Sequence, residues 1–594
     1  MTTTLPPARA AIPDSQATAQ ANSDARRDAP STSATAARGT QRPAPLHYAH
    51  WPAGQPHTLT TPATSVYMNL FVSALRYPDK PAIIFYDTIL TYRALHEAVL
   101  KLAGYLQRHC GVGHGDRVLL DMQNSPQWVI AYYAILRADA VVVPVNPMLM
   151  TEELRHYADD SGATVVIAAQ DVFAKVAPLL GSTPLRHAVV ATYSDCQTAP
   201  TELAVPEFVR AQPAVTPMAG VVTWHDAMQS GGELLPHRSG PDDLACMPYT
   251  SGTTGKPKGC VHTHRSVMFV TVVAPHWSIA PVPDQVSLSV LPFFHVTGMQ
   301  ISMNATIYGG GTMVILPRWD REVAGQLINR YRVTVWTNIP TMVIDLLSNP
   351  RIGEVDLSGL RRISGGGAAM PAAIAQKLHD LTGLQYMEGY GLSETMATTH
   401  TNPPQRMKQQ CLGIPVFNVD SRIIDPVTLA ELPQGEVGEI VIHGPQVMQG
   451  YWNDPQKTAE AFIEIDGKRF LRTGDLGYQD AEGFFFFTDR LKRMINASGY
   501  KVWPAEVESM MYRHPAISEC CIIAARDDYR GETVKAVVVR REGSNVSAEE
   551  IMQWAHEQMA AYKVPKLVEF VTSLPKSGAG KVMWRALQEK ELAG

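Results

Sequence analysis

Residues 249–259 read YTSGTTGKPKG, a stretch with three glycines, four residues carrying a side-chain hydroxyl, if Tyr249 is left aside, and two lysines. Glycines let consecutive backbone N–H groups turn inward into an anion-binding nest, hydroxyls add donors and a lysine adds charge. That chemistry suits a polyphosphate. The spacing is not that of a Walker loop: Gly252 and Gly255 stand too close, and Lys256 is followed by Pro257 where Ser or Thr would be needed. The predicted phosphate loop is therefore of another kind. Five more stretches place reactive residue types in turn-like settings: LPFFHVTGM (291–299), ISGGGAAM (363–370), EGYGLSET (388–395), RTGDLG (472–477) and PKSGAGKVMWR (575–585).

The elements that hold these stretches read as α/β. Short apolar runs such as RVLLDM (117–122), AVVVPV (140–145), TVVIAA (164–169) and HAVVAT (187–192) alternate with helical periodicity. This is the pattern of βα units around largely parallel sheets. It resumes after the glycine-rich loop in VSLSVLPF (286–293), TMVILP (312–317) and VTVWTNIP (333–340). After about Ser421 the strands SRIID, GEIVIHG and FFFFTD predict a β subdomain. The last hundred residues or so predict a small α+β domain: helix 504–513, strands 519–525 and 534–540, helix 547–560, strand 567–571. The predicted organisation is a tail over 1–45, a large domain over 46–491 with folded sequence beginning near Tyr67, and a small C-terminal domain over 492–594. The tail is dominated by Ala, Thr, Ser, Pro and Gln and cannot bury enough apolar surface to order itself.

The bulk numbers narrow the function. A chain of 594 residues is expected to form more than one domain. A net charge of -5 gives no basic field for nucleic acid. Seven cysteines, irregularly spaced and without a C-x-x-C pair, predict neither disulfide framework nor zinc site, and fit a cytoplasmic setting. The longest apolar run, WVIAYYAILRADAVVVPVN from Trp128, is broken by Arg137 and Asp139 and is too interrupted for a membrane span. Peripheral membrane contact and the oligomeric state are left open by the sequence.

Together and in order, these motifs resemble the adenylate-forming superfamily, which includes acyl-CoA synthetases, aryl-CoA ligases, beetle luciferases and peptide-synthetase adenylation domains. The resemblance runs from about Tyr67 to Lys581. It implies a site that binds ATP, Mg²⁺, a carboxylic acid and CoA. Thr250, Ser251, Gly252, Thr253, Thr254, Gly255 and Lys258 would cradle phosphate. Gly367, Glu388, Gly389, Tyr390, Gly391 and Ser393 would line the nucleotide, with Tyr390 stacked on adenine. Glu394 and Thr250 would hold Mg²⁺, a hard cation that prefers oxygen. Asp475 would accept from the ribose hydroxyls and Arg490 would add a ribose or phosphate contact.

The same resemblance places His295, Val296, Met299, Gly365 and Gly366 around the acyl group, with Met303 close by. It makes Lys581 the residue that stabilises charge during adenylation. Lys492 would be the hinge on which the small domain rotates between half-reactions, and Ser498, Gly499 and Tyr500 would face the pantetheine arm of CoA. The implied activity is acid + ATP + CoA to acyl-CoA + AMP + pyrophosphate, and the texture is similar to bacterial medium- and long-chain fatty acid–CoA ligases. Two alternatives stay open: an aryl acid of the cinnamate type, and loading of a separate carrier protein.

Overall fold

The computed structural model describes residues 44–250, 256–277, 283–497, 500–527, 531–577 and 581–593. The predicted tail (1–43 of it) and Ser251–Gly255, Ser498 and Gly499 lie outside the described residues.

Two sheets form the framework of the large N-terminal part. In the seven-stranded sheet, Arg117–Asp121, Val141–Pro144, Val165–Ala169 and His187–Ala191 are parallel neighbours. Val118, Leu120, Val142, Val143, Val165 and Ile167 are fully buried, so both faces are covered and the strands read as continuous apolar runs. The nine-stranded sheet carries the site. Its central strands Val286–Ser289, Val335–Asn338, Arg362–Gly366 and Tyr386–Leu392 run parallel side by side. Ala397–Thr401 then returns antiparallel to Tyr386–Leu392.

The apolar run from Trp128 is a buried helix. Pro126–Arg137 is capped by Ser125, whose hydroxyl accepts from the Trp128 N–H, and has Pro126 in its first turn. Trp128, Tyr132 and Tyr133 are fully buried, which is the reason the helix is apolar all round. No helix among the described residues is long and apolar enough to cross a membrane.

Folded structure begins earlier than the expected Tyr67. Leu46–His50 is a 3-10 helix, and Trp51 packs edge-on against Trp277 at 4.9 Å and Phe417 at 5.5 Å between ring centres. Three aromatic rings rather than periodicity hold this segment, so helix and strand patterns did not mark it.

Beyond residue 420 the antiparallel strands Asp420–Ile424, Gly438–His443, Phe462–Ile465, Lys468–Gln479 and Phe485–Arg490 form one sheet. The C-terminal part has its own five-stranded sheet, centred on Ile517–Asp527 and Gly531–Arg540, with helices Pro504–Met511 and Ala548–Gln558 packed on a core of Val507, Ile522, Val538 and Ile551. Across the expected boundary at Lys492, the buried Asp489 carboxylate accepts from the Ala505 N–H at 2.6 Å. It thereby caps a helix whose own N-cap, Trp503, has no capping side chain.

Candidate active site

The predicted phosphate loop is closed at its base by a two-stranded ribbon. Tyr249–Thr250 pairs antiparallel with Lys258–Gly259, with Thr250 opposite Lys258. Tyr249 anchors the ribbon by donating to Asp160 at 2.6 Å, and His156 donates to the Pro257 carbonyl at 2.7 Å. The Lys258 ammonium lies 4.3 Å from the Tyr451 ring centre, and the Tyr451 hydroxyl donates to Glu394 Oε1 at 3.1 Å. Tyr451 thus couples the loop's base to Glu394. It was not singled out in the sequence, where it stands in an unremarkable QGYWND stretch.

Glu394 follows the strand Tyr386–Leu392 in a short 3-10 turn, Ser393–Thr395. The turn is pinned from both sides: His262 Nε2 donates to the Ser393 carbonyl at 2.8 Å, and the Met448 N–H donates to the Glu394 carbonyl at 2.8 Å. Burial raises the Glu394 pKa, partly offset by the Tyr451 hydrogen bond. Its carboxylate has no ion pair among the described residues.

Three expected nucleotide residues form one unit. Tyr390 donates to Asp475 Oδ2 at 2.6 Å, and Arg490 Nε lies 3.1 Å from Asp475 Oδ1. Strand register sets this up, because Asp475 sits directly opposite Arg490 in the ladder of Lys468–Gln479 with Phe485–Arg490. Glu388 differs from the expectation. Its buried carboxylate accepts from the backbone N–H groups of Met370 at 2.8 Å and Cys411 at 3.3 Å, so it ties two loops together behind the neighbouring Gly389–Gly391.

A cavity of about 130 Å³ gathers His295, Gly365–Gly367, Gly389–Gly391 and Lys581. A larger, more open depression of about 590 Å³ lies elsewhere, around Ser194, Gln197 and Arg210, and contains none of the motif residues. His295 Nδ1 accepts from the Thr297 N–H at 3.3 Å, which leaves the proton of the neutral ring on Nε2. Burial first, and then the charge of Lys581, push its pKa down to about 3, so the imidazole is neutral at physiological pH.

Lys581 enters from the C-terminal part. Its chain is held by reciprocal bonds with Ser577: the Ser577 N–H donates to the Lys581 carbonyl at 2.7 Å, and the Lys581 N–H donates to the Ser577 hydroxyl at 3.3 Å. Much of the side chain is open to the cavity. The protein mass around the ammonium nonetheless lowers its pKa, repulsion from Arg490 lowers it further, and Asp475 opposes both.

The acyl side departs from expectation at three side chains. Val296, Met299 and Met303 are packed in the core, and none of them lines the cavity. The apolar wall is Val273, Trp277, Ile301 and Ile339 instead. Gly298–Asn304 is π-helical, with Met299 and Met303 packed in the core and Ile301 at the cavity. The glycines also have separate reasons. Gly365 and Gly366 lie in a strand, where a Cβ on Gly365 would collide with Tyr386 and the Asn338 carbonyl, and one on Gly366 with the Gly389 carbonyl. All three line the cavity as expected, and Gly367, at φ +83°, is the one that faces Lys581: a Cβ there would stand 2.9 Å from Lys581 Cε. Lys492 falls in the 3-10 turn Leu491–Arg493 and Tyr500 in the strand Tyr500–Val502; of these two only the backbone is described.

Residues 70–452 match the family described as AMP-binding enzyme, and residues 506–581 match the AMP-binding enzyme C-terminal domain. The long-chain-fatty-acid–CoA ligase of Bacillus subtilis is 37% identical over 91% of this chain and 97% of its own length. The feruloyl-CoA synthase of an Amycolatopsis species is 35% identical over 85% and 95%. Among solved structures, the anthranilate CoA ligase AuaEII in complex with anthranoyl-AMP superposes with a TM-score of 0.79 at 25% identity, covering 90% of this chain and 98% of that one. ATP-bound MatB from Rhodopseudomonas palustris gives 0.78 at 28%, covering 89% and 99%. By sequence and by fold, the chain belongs to the AMP-binding enzyme family.

Proposed function

We propose that the protein is an ATP-dependent acid–CoA ligase that forms acyl-CoA through an acyl-adenylate, with medium- or long-chain fatty acids as the substrate class. The observation that carries this is the placement of Lys581 against Gly367, in one cavity with His295 and Tyr390 and close in charge to Asp475 and Arg490. The fatty-acid class is supported by the Bacillus subtilis relative and by the superposition on a Mycobacterium tuberculosis fatty acyl CoA synthetase, at a TM-score of 0.68 and 26% identity.

In the first half-reaction a carboxylate oxygen attacks the α-phosphorus of ATP and the bond to pyrophosphate breaks. Little covalent work is asked of the protein, which must align the two groups and offset charge. Lys581 supplies that charge. Asp475 and Arg490 hold the ribose end, where Asp475 can exchange its Tyr390 hydrogen bond for a ribose hydroxyl. His295, neutral with its proton on Nε2, acts as a hydrogen-bond donor in the acyl cavity. In the second half-reaction the CoA thiol attacks the acyl carbon and AMP leaves. The C-terminal part turns at Lys492 between the two, withdrawing Lys581 and bringing Ser498, Gly499 and Tyr500 to the pantetheine.

Glu394 and Thr250 fit a magnesium site. Both offer hard oxygen donors, and the partly buried Glu394 carboxylate has no ion pair among the described residues, only the Tyr451 hydrogen bond and the more distant charge of Arg490. No cluster of three His, Cys, Asp or Glu residues able to hold a metal occurs among the described residues, as suits an ion held by one carboxylate and substrate phosphates. When bound, magnesium would neutralise phosphate charge. The seven free cysteines fit a reducing, cytoplasmic setting.

Pyrophosphate and AMP release, measured with and without CoA across a panel of fatty and aryl acids, tests the reading. Acid-dependent release that is stimulated by CoA and yields the thioester is expected. Release indifferent to CoA, with transfer only to a carrier protein, would overturn it.

A further inference from the structure

The acyl cavity has a cation in its wall with no ion-pair partner among the described residues. Arg362 opens the strand that ends in Gly365 and Gly366, and it lines the same cavity as His295 and Lys581. Its backbone N–H donates to the Thr334 carbonyl at 3.3 Å. Its guanidinium has no ion pair among the described residues, and the Nε is buried without a hydrogen-bond partner. Burial lowers its pKa only to about 10, so the group stays charged at neutral pH. Arg362 is partly exposed as a whole, but a donor buried without a partner in a native structure calls for an occupant.

The surroundings say what kind. Ser364, two residues along and therefore on the same strand face, also lines the cavity, and its hydroxyl lies 3.3 Å from that of Thr337. The lining thus has a polar and cationic part, Arg362 with Ser364 and Thr337, and an apolar part that includes Trp277, Ile301 and Ile339. A plain alkyl chain would leave the guanidinium facing methylene groups. A ligand with an oxygen anion at its far end would satisfy both regions.

We infer that Arg362 is a specificity residue that receives a second carboxylate on the substrate, so that the preferred acids are α,ω-dicarboxylic acids adenylated at one end and held at the other. This rests on the acid–CoA ligase reading above. Four residues of strand separate Arg362 from Gly366, which is about 13 Å between Cα atoms. That span is an upper limit, because the Arg362 side chain itself reaches toward the cavity, and it admits diacids of up to about ten carbons, since each C–C bond adds at most about 1.5 Å. The cavity of about 130 Å³ is close to the roughly 150 Å³ that holds a benzene ring, and so favours the shorter members.

The test is kcat/KM for CoA-dependent AMP formation on matched pairs, each alkanedioic acid against the alkanoic acid of equal carbon number. The wild-type protein is expected to favour the diacid by about tenfold or more at its best length, because a site built for a polar group rejects the analogue lacking it. Arg362→Met should abolish that preference and leave or improve turnover of the plain acid, and Arg362→Lys should keep part of it. Should the methionine variant fail to fold, inhibition of alkanoate turnover by diacids in the wild-type protein gives the same answer, competitive inhibition being expected. Good turnover of alkanoates with no diacid preference and no diacid inhibition at any length would overturn this inference alone. Absence of CoA-dependent turnover with every acid would overturn the ligase reading with it.

Discussion

Replacing Gly367 by alanine should disable adenylation through a residue more than two hundred positions away in the chain. The added Cβ would stand 2.9 Å from Lys581 Cε and 3.4 Å from Nζ, at a backbone φ of +83°. The backbone term costs about 1–2 kcal/mol for a non-glycine residue in the left-handed region. That is a small part of the roughly 5–15 kcal/mol that keeps a domain folded, so the variant should still fold. The contact falls on the end of a flexible side chain, so the lysine gives way and the backbone does not. A displacement of about 1 Å in a positioned group costs on the order of a hundredfold in rate, or about 2.7 kcal/mol. Acid-dependent exchange of pyrophosphate into ATP should fall by about that factor. Lys581→Ala should fall by a hundredfold or more, the scale of one preorganised charge contact. The decisive arm is the double variant: if alanine at 367 acts by moving Lys581, it should add little once Lys581 is gone. Conversion of supplied acyl-adenylate by CoA should survive both single changes. A Gly367→Ala variant with unchanged exchange, or one that lowers exchange equally with and without Lys581, would refute this reasoning.

Three further outcomes follow from the same geometry. Asp475→Asn keeps the shape but loses the charge that pairs with Arg490 and accepts from Tyr390; KM for ATP should rise by about tenfold or more, the effect of losing a charge-assisted bond, and an unchanged KM would remove Asp475 from the nucleotide site. Pyrophosphate exchange should lose activity as pH rises through the Lys581 pKa, which burial and then Arg490 hold below the ordinary 10.5, while His295, neutral above about 3, adds no limb near pH 6.5; a limb near 6.5 that disappears in His295→Ala would contradict this. A chain beginning at Pro45 should be as stable as the full chain, whereas one beginning at Tyr67 loses Trp51 from between Trp277 and Phe417, at a cost of about 3–5 kcal/mol that thermal unfolding would register.

The parts of the fold that sequence reveals are those where burial writes a pattern. Val118–Leu120 and Val165–Ala169 are covered on both faces, so each reads as an apolar run. The segment around Trp51 is held by a few long-range ring contacts and has no period to read. At the site, the glycine-rich and charged motifs announce themselves by composition, but what each side chain touches does not. Met299 and Ile301 look interchangeable in sequence, yet on one π-helical turn Met299 packs in the core and Ile301 meets the cavity. Glu388 reads as a ligand-facing acid, yet two backbone N–H groups occupy it. Arg362 hides beside Arg361 as half of an ordinary charged pair, and only the sheet separates the exposed one from the one in the cavity.

The central claim is that the acid is activated as a mixed anhydride with AMP. The most direct measurement is the fate of oxygen-18 from a labelled carboxylate in a reaction with ATP and CoA. The account predicts one labelled oxygen in the phosphate of the AMP released, with pyrophosphate unlabelled. AMP free of label, or ADP and phosphate as the products, would contradict it.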